Sequence, residues 1–127
     1  MEKQVQNWLD LGLSQEDSTF LAMVQQGYVI TLDADWEQDV RPEKEFDKGI
    51  ARQIRKEMDK GNVWAWCSVK VSVSAHLPAD DETTADDYLG GCSYKDRNDF
   101  IVNSGYFVQM VRECYESLKQ REPSTSL

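Results

Sequence analysis

Two runs of acidic side chains are the residues of this sequence that are best suited to take part in chemistry. Residues 33–47 hold seven acids against two basic residues, and residues 80–87 hold five acids and no basic residue. The acids are Asp33, Asp35, Glu37, Asp39, Glu43, Glu45 and Asp47, then Asp80, Asp81, Glu82, Asp86 and Asp87. Such clusters can hold a divalent cation, act as general acids and bases, or present negative charge to a basic partner.

Alternation along a strand would make the first run a regular line of charge. If a strand continues through Trp36, every second acid shares one face, at a repeat of about 6.6 Å. Trp36 would then be an apolar anchor among the charges. We predict a partner-binding surface that competes for a basic nucleic-acid groove, made of Asp33, Asp35, Trp36, Glu37, Asp39, Asp80, Asp81, Glu82, Asp86 and Asp87. The alternative is an acidic face that is simply solvated.

Metal binding and catalysis are less well supported by the pattern. Residues 80–87 lack the EF-hand spacing, with its central glycine and its glutamate at position twelve. His76 is the only histidine and has no Cys or His at zinc spacing. A pair of Cys67 or Cys92 with His76 is disfavoured because Cys67 falls on the predicted core face. We expect no cofactor and no enzymatic activity, and a small carboxylate enzyme that uses a divalent cation remains an alternative.

Composition limits the class of protein. The chain has 127 residues and a net charge of −9, so it should repel nucleic-acid phosphates and favour a host protein or nucleoprotein complex with a basic surface. Three separated cysteines predict reduced thiols. With no apolar run long enough for a signal peptide or a membrane span, we expect a cytoplasmic protein. A single domain is expected over residues 1–121, with a disordered tail over residues 122–127.

Hydrophobic periodicity predicts two helices, a strand, a helix, two strands and a final helix. This order favours an α+β fold, in which a small, mainly antiparallel three-stranded sheet is packed on one face by about four helices. The predicted helices cover about residues 2–11, from Ser14 to Gly27, from Pro42 to Gly61 and 106–119, and the predicted strands cover 28–36, 62–75 and 87–94.

Two tryptophans on the long predicted strand suggest a second surface. Trp64 and Trp66 would share the polar face of the strand, opposite the core positions, and with Tyr94 they could form an exposed aromatic patch for a protein partner. The other interpretation is structural: an indole lies over Gly90 and Gly91, and Trp8 closes that side. Consecutive glycines within a strand indicate a bulge or the close approach of a ring.

Two sequence blocks carry a resemblance. Residues 62–67 read Asn-Val-Trp-Ala-Trp-Cys, and residues 87–94 read Asp-Tyr-Leu-Gly-Gly-Cys-Ser-Tyr. With Asp99-Phe100, Gly105-Tyr106-Phe107 and Met110-Val111, they resemble a group of short, uncharacterised proteins of bacteriophages and prophages. The similarity spans roughly residues 62–118 and does not cover the first acidic run.

This resemblance implies a biological context rather than a chemical reaction. Small acidic phage proteins without catalytic motifs are often inhibitors of host defence, among them anti-CRISPR and antirestriction proteins, some of which imitate DNA. The resemblance therefore implies a non-enzymatic inhibitor in the host cytoplasm. A general phage accessory module that binds protein through its aromatic face is the alternative.

Overall fold

The computed structural model describes residues 1–76 and 83–121. Its elements, in chain order, are α1 (Glu2–Leu11), α2 (Gln15–Val24), β1 (Tyr28–Trp36), α3 (Pro42–Glu45), α4 (Lys48–Asp59), a 3-10 turn (Val63–Ala65), β2 (Cys67–Ala75), β3 (Thr84–Cys92), α5 (Arg97–Asn103) and α6 (Phe107–Arg121). The strands form an antiparallel sheet in the order β1-β2-β3. The predicted α+β class is confirmed. The expected disordered tail and three of the predicted site residues, Asp80, Asp81 and Glu82, lie outside the described residues.

The core lies between one face of the sheet and the helices. Val69, Val71 and Val73 of β2 are fully buried, and α6 packs across β2 and β3. The α6 stripe is buried as its spacing predicts, at Phe107, Met110, Val111, Cys114 and Leu118. All three cysteines are buried and free.

Side-chain caps determine where several helices begin. The Ser14 hydroxyl accepts from the Asp17 N–H at 3.1 Å at the start of α2, as the sequence predicts. Asp96 does the same at α5, where its carboxylate accepts from the Asp99 N–H at 2.9 Å. Helix α5 was not predicted from the sequence, although this capping pattern marks its start.

The single helix predicted after Pro42 is wrong, because the chain forms two helices there. Phe46 leaves the helical conformation with φ −133° and ψ 158°, and the Asp47 carboxylate caps a new helix by accepting from the Ile50 N–H at 2.9 Å. The Phe46 ring instead packs edge-on against Trp66, with ring centroids 6.0 Å apart. The predicted stop is confirmed at Gly61, which has φ +86°.

The long strand predicted from Asn62 is also wrong at its beginning. The Asn62 side chain accepts from the Trp64 N–H at 3.2 Å and starts a 3-10 turn, so β2 begins only at Cys67. Buried and less buried side chains alternate from Cys67 to Val71, and Ser72 is itself buried. Trp64 therefore lies in the turn and not on the strand, whereas Trp66 is extended and directly precedes β2.

Candidate functional site

The face of the sheet opposite the core is open to solvent in the described part of the chain. Its β1 side chains are Val29, Thr31, Asp33 and Asp35, all exposed. Across the register, Asp33 lies opposite Lys70 and Asp35 opposite Ser68, and Lys70 in turn lies opposite Tyr88 of β3. Asp33 and Asp35 thus share one face, as their spacing predicts.

The end of this face near Trp36 forms a concave surface that we call the acidic groove, with a volume of about 810 Å³. Four carboxylates and a single lysine line it, so its charge is strongly negative. Its lining residues are Asp33, Ala34, Asp35, Trp36, Glu37, Gln38, Asp39, Ser68, Lys70, Tyr88 and Gly90.

Two aromatic rings lie at the acidic groove. Trp36 is 37% exposed and Tyr88 is 62% exposed. The Lys70 ammonium group is 5.9 Å from the centre of the Tyr88 ring, a cation–π distance. Trp36 was predicted from the sequence as a site residue. Tyr88 was not, although its even position in β3 places it on the open face. Trp36 pairs with Cys67, so its ring lies at the edge of the other face, whereas Tyr88 lies on the open face opposite Lys70. The groove combines negative charge with one exposed ring, which is a composition that suits a cationic partner.

Glu37 does not extend the row of free acids as predicted. The strand ends at Trp36, and the Glu37 carboxylate turns across the sheet to accept from the Gly91 N–H at 2.6 Å and from the Asp39 N–H at 3.0 Å. These hydrogen bonds lower the pKa of Glu37 below its usual value, and the bond from Asp39 has the largest effect. Glu37 therefore joins the end of β1 to β3, and it lines the groove beside Asp33, Asp35 and Asp39.

Other acids of the first run are also used within the fold. Glu43 accepts two hydrogen bonds from the guanidinium of Arg55, at 2.8 and 3.1 Å. The Asp47 carboxylate caps α4. Part of the negative charge in this run therefore stabilises local structure.

The second acidic run is divided between the two faces of the sheet. Asp86 is exposed on the open face and accepts from the Ser72 hydroxyl at 2.5 Å. Asp87 is half-buried on the face that α6 covers, where desolvation raises its pKa and the nearby Glu113 carboxyl adds to the rise. A single surface that contains both residues is therefore wrong, because neighbouring strand residues point in opposite directions.

The predicted aromatic surface is wrong for Trp66, which is only 1% exposed. Its indole N–H donates to the Val40 carbonyl at 2.8 Å. Trp64 and Tyr94 are half-buried and both contact Phe100, with ring centroids 5.9 and 5.1 Å apart. The three rings therefore contribute to packing around Phe46 and Phe100.

The structural interpretation of the paired glycines is confirmed in part. The register slips between Cys67 and Val69, which is a bulge in β3, and Gly91 has φ +64°. A Cβ on Gly91 would lie 3.7 Å from the Trp66 ring, so an indole does lie beside it. Trp8 does not close that side: it packs against Phe107 and donates to Gln25 at 2.9 Å.

Within residues 1–76 and 83–121, no three carboxylate, cysteine or histidine side chains come together in a way that could hold a metal ion. In the same part of the chain, no helix combines the length and apolarity that crossing a bilayer requires.

Comparison with protein-family models, with curated proteins and with solved structures finds no match to this chain. The resemblance to small phage proteins therefore stays a prediction.

Proposed function

We propose that this protein is a non-enzymatic binding module whose acidic groove occupies a basic surface on another protein. The observation that carries the proposal is the open end of the sheet, where Asp33, Asp35 and Asp39 line the acidic groove with the exposed ring of Tyr88. A cationic side chain bound there would gain both a charge partner and an aromatic contact.

The biological role that fits this surface is inhibition of a host defence complex of the CRISPR or restriction type. Such complexes bind nucleic acid in basic grooves, and an acidic protein can compete for them. The resemblance to small phage proteins supports this role, and the net charge of −9 supports protein rather than nucleic acid as the direct partner.

The first test uses a defined cationic probe. A labelled oligo-arginine peptide should bind the unmodified protein, and Asp33→Asn with Asp35→Asn should weaken binding by roughly tenfold at low salt. Asp10→Asn with Glu116→Gln removes the same charge from helices on the other side of the sheet and is the matched control. Equal losses for the two variants would show that only net charge matters and would refute a role for the groove.

The second test addresses the biological role. In a panel of purified CRISPR and restriction complexes, the protein should displace labelled DNA from at least one, with less displacement as salt rises. The Asp33/Asp35 variant should displace less DNA than the Asp10/Glu116 control. A groove variant that inhibits as well as the unmodified protein at every salt concentration would refute DNA mimicry by this surface.

A further inference from the structure

Cys67 and Cys92 lie directly opposite each other across β2 and β3. They are the first residue of β2 and the last residue of β3. Both thiols are free, and their residues are 0% and 5% exposed. The proposed binding function uses neither thiol.

The bulge in β3 is what brings the two thiols to the same face. Val69 pairs with Leu89, whereas Cys67 pairs with Cys92 rather than with Gly91. Without the extra residue, the alternation of the strand would place Cys92 on the open face and Gly91 opposite Cys67. With it, both sulfurs lie on the core side of the sheet.

The register is compatible with a covalent bond. Directly opposed residues of antiparallel strands have Cα atoms about 4.5–5.5 Å apart, within the range of about 4.4–6.8 Å found in disulfides. At present each sulfur lies near a main-chain oxygen of its own segment: Cys67 Sγ is 3.9 Å from the Trp64 oxygen, and Cys92 Sγ is 3.4 Å from the Leu89 oxygen. Bond formation requires the thiols to rotate toward each other.

One of the two cysteine residues borders a surface groove. Cys92 lines a groove of about 270 Å³ together with Gly90, Gly91 and Tyr106. Cys67 is absent from that lining and is fully buried. A small molecule in this groove would therefore meet Cys92 first.

We propose that Cys67 and Cys92 are an oxidation-sensitive dithiol that closes to a cross-strand disulfide on reaction with a small disulfide such as oxidised glutathione. The Cys92 thiolate attacks the glutathione disulfide, forms a mixed disulfide and releases one glutathione thiolate. The Cys67 thiolate then attacks the Cys92 sulfur of the mixed disulfide and releases the second glutathione thiolate. Two protons leave the protein, its thiol pair is oxidised by two electrons, and one glutathione disulfide is reduced to two glutathione molecules.

The same surroundings make this reaction slow at neutral pH. Burial raises the pKa of Cys92 to about 11 and that of Cys67 to about 12, and the negative charge of Glu37 adds to both. Because the thiolate is the attacking species, the rate should rise about tenfold for each pH unit below these values.

The direct test is oxidation of the folded protein by oxidised glutathione at about pH 8–9, where more thiolate is present. After acid quenching, the intact mass should be lower by two hydrogen atoms. After alkylation of the unfolded chain, the oxidised protein should carry one alkyl group where the reduced protein carries three, and peptide mapping should join Cys67 to Cys92. The oxidised protein should melt roughly 5–10 °C higher, because the bond closes a loop in the unfolded chain. Three free thiols that persist at the higher pH, a bond to Cys114, or glutathione adducts alone would overturn the proposal.

Three variants test the order of attack. Cys67→Ala should accumulate a stable glutathione adduct on Cys92, whereas Cys92→Ala should leave Cys67 unmodified over the same time. Cys114→Ser is the control, since Cys114 lies on α6 with its sulfur 3.8 Å from the Val71 oxygen, and it should not change the rate. A glutathione adduct on Cys67 of the Cys92→Ala protein would refute entry through the groove. The disulfide mapped in the unmodified protein tests the proposal even if the variants fold poorly.

Discussion

Glu37 and Gly90 offer a sharp test of how the end of the sheet is held. A Cβ on Gly90 would lie 2.8 Å from the Glu37 carboxylate oxygen that accepts from Gly91. Gly90→Ala should therefore displace this carboxylate and act through the same hydrogen bonds that Glu37→Ala removes. The two substitutions should be strongly non-additive.

The magnitude follows from the two hydrogen bonds of Glu37. A hydrogen bond to a charged group contributes about 1.5–3 kcal/mol when it is well buried, and Glu37 is only half-buried. After allowance for solvent screening, Glu37→Ala should lower the free energy of unfolding by about 1–2 kcal/mol. Gly90→Ala should cost about 0.5–1 kcal/mol alone, and it should be neutral or slightly stabilising once Glu37 is alanine, because alanine restricts the unfolded chain.

The pH dependence has a definite sign. The pKa of Glu37 is lowered from its usual value of 4.5, so the folded state favours the ionised carboxylate. Its contribution to stability is complete above about pH 4.5 and is lost as the pH falls through the depressed folded value. The difference between the unmodified protein and Glu37→Ala should therefore shrink as the pH falls below about 4.5.

Urea denaturation followed by circular dichroism, at about pH 7 and about pH 3.5, measures both effects. Glu45→Ala is the matched control, since it removes the same side chain from an exposed position in α3. Its effect should stay within about 0.5 kcal/mol. Additive costs for Glu37 and Gly90, or a Glu37 contribution that does not fall at low pH, would refute the proposed link between β1 and β3.

Three other substitutions test the packing. Ser18 is fully buried and its hydroxyl has no hydrogen-bond partner among the described residues, so Ser18→Ala should be neutral or raise the free energy of unfolding by up to about 1 kcal/mol; a loss above 1 kcal/mol in urea denaturation would contradict this. Trp66→Phe should lower the free energy of unfolding by about 2–3 kcal/mol, since the substitution removes buried volume and the hydrogen bond to Val40. Trp64→Phe should cost less than half as much, and equal losses in thermal or urea unfolding would show that the two rings do not differ in this way.

The elements that the sequence predicted well are those with a strong local signal. Helix α6 combines a five-residue apolar stripe with a length of 15 residues, and β1 alternates over its whole length. The boundary after Glu45 and the 3-10 turn at Val63–Ala65 were missed. In both, a short polar side chain caps a new turn inside a pattern that continues through it, so periodicity alone could not locate the change.

The candidate site was predicted in part for a similar reason. The spacing of Asp33 and Asp35 places them on one face, because side chains alternate along any strand. Spacing did not show that Glu37 would be used to hold Gly91, 54 residues away in the chain. It also did not reveal Tyr88, because the open face of β3 depends on how that strand pairs with β2.

The sequence by itself determined the α+β class, the core face of each long element and the acidic character of the surface, since these depend on residue type and on periods of 2 and 3.6 along the chain. Only the tertiary structure decided which carboxylates remain available and which rings stay exposed. It also decided that Cys67 and Cys92 meet, because a single extra residue in β3 reverses which face its last side chain occupies. These features depend on pairing between residues far apart in the chain, and this pairing cannot be predicted from the local sequence.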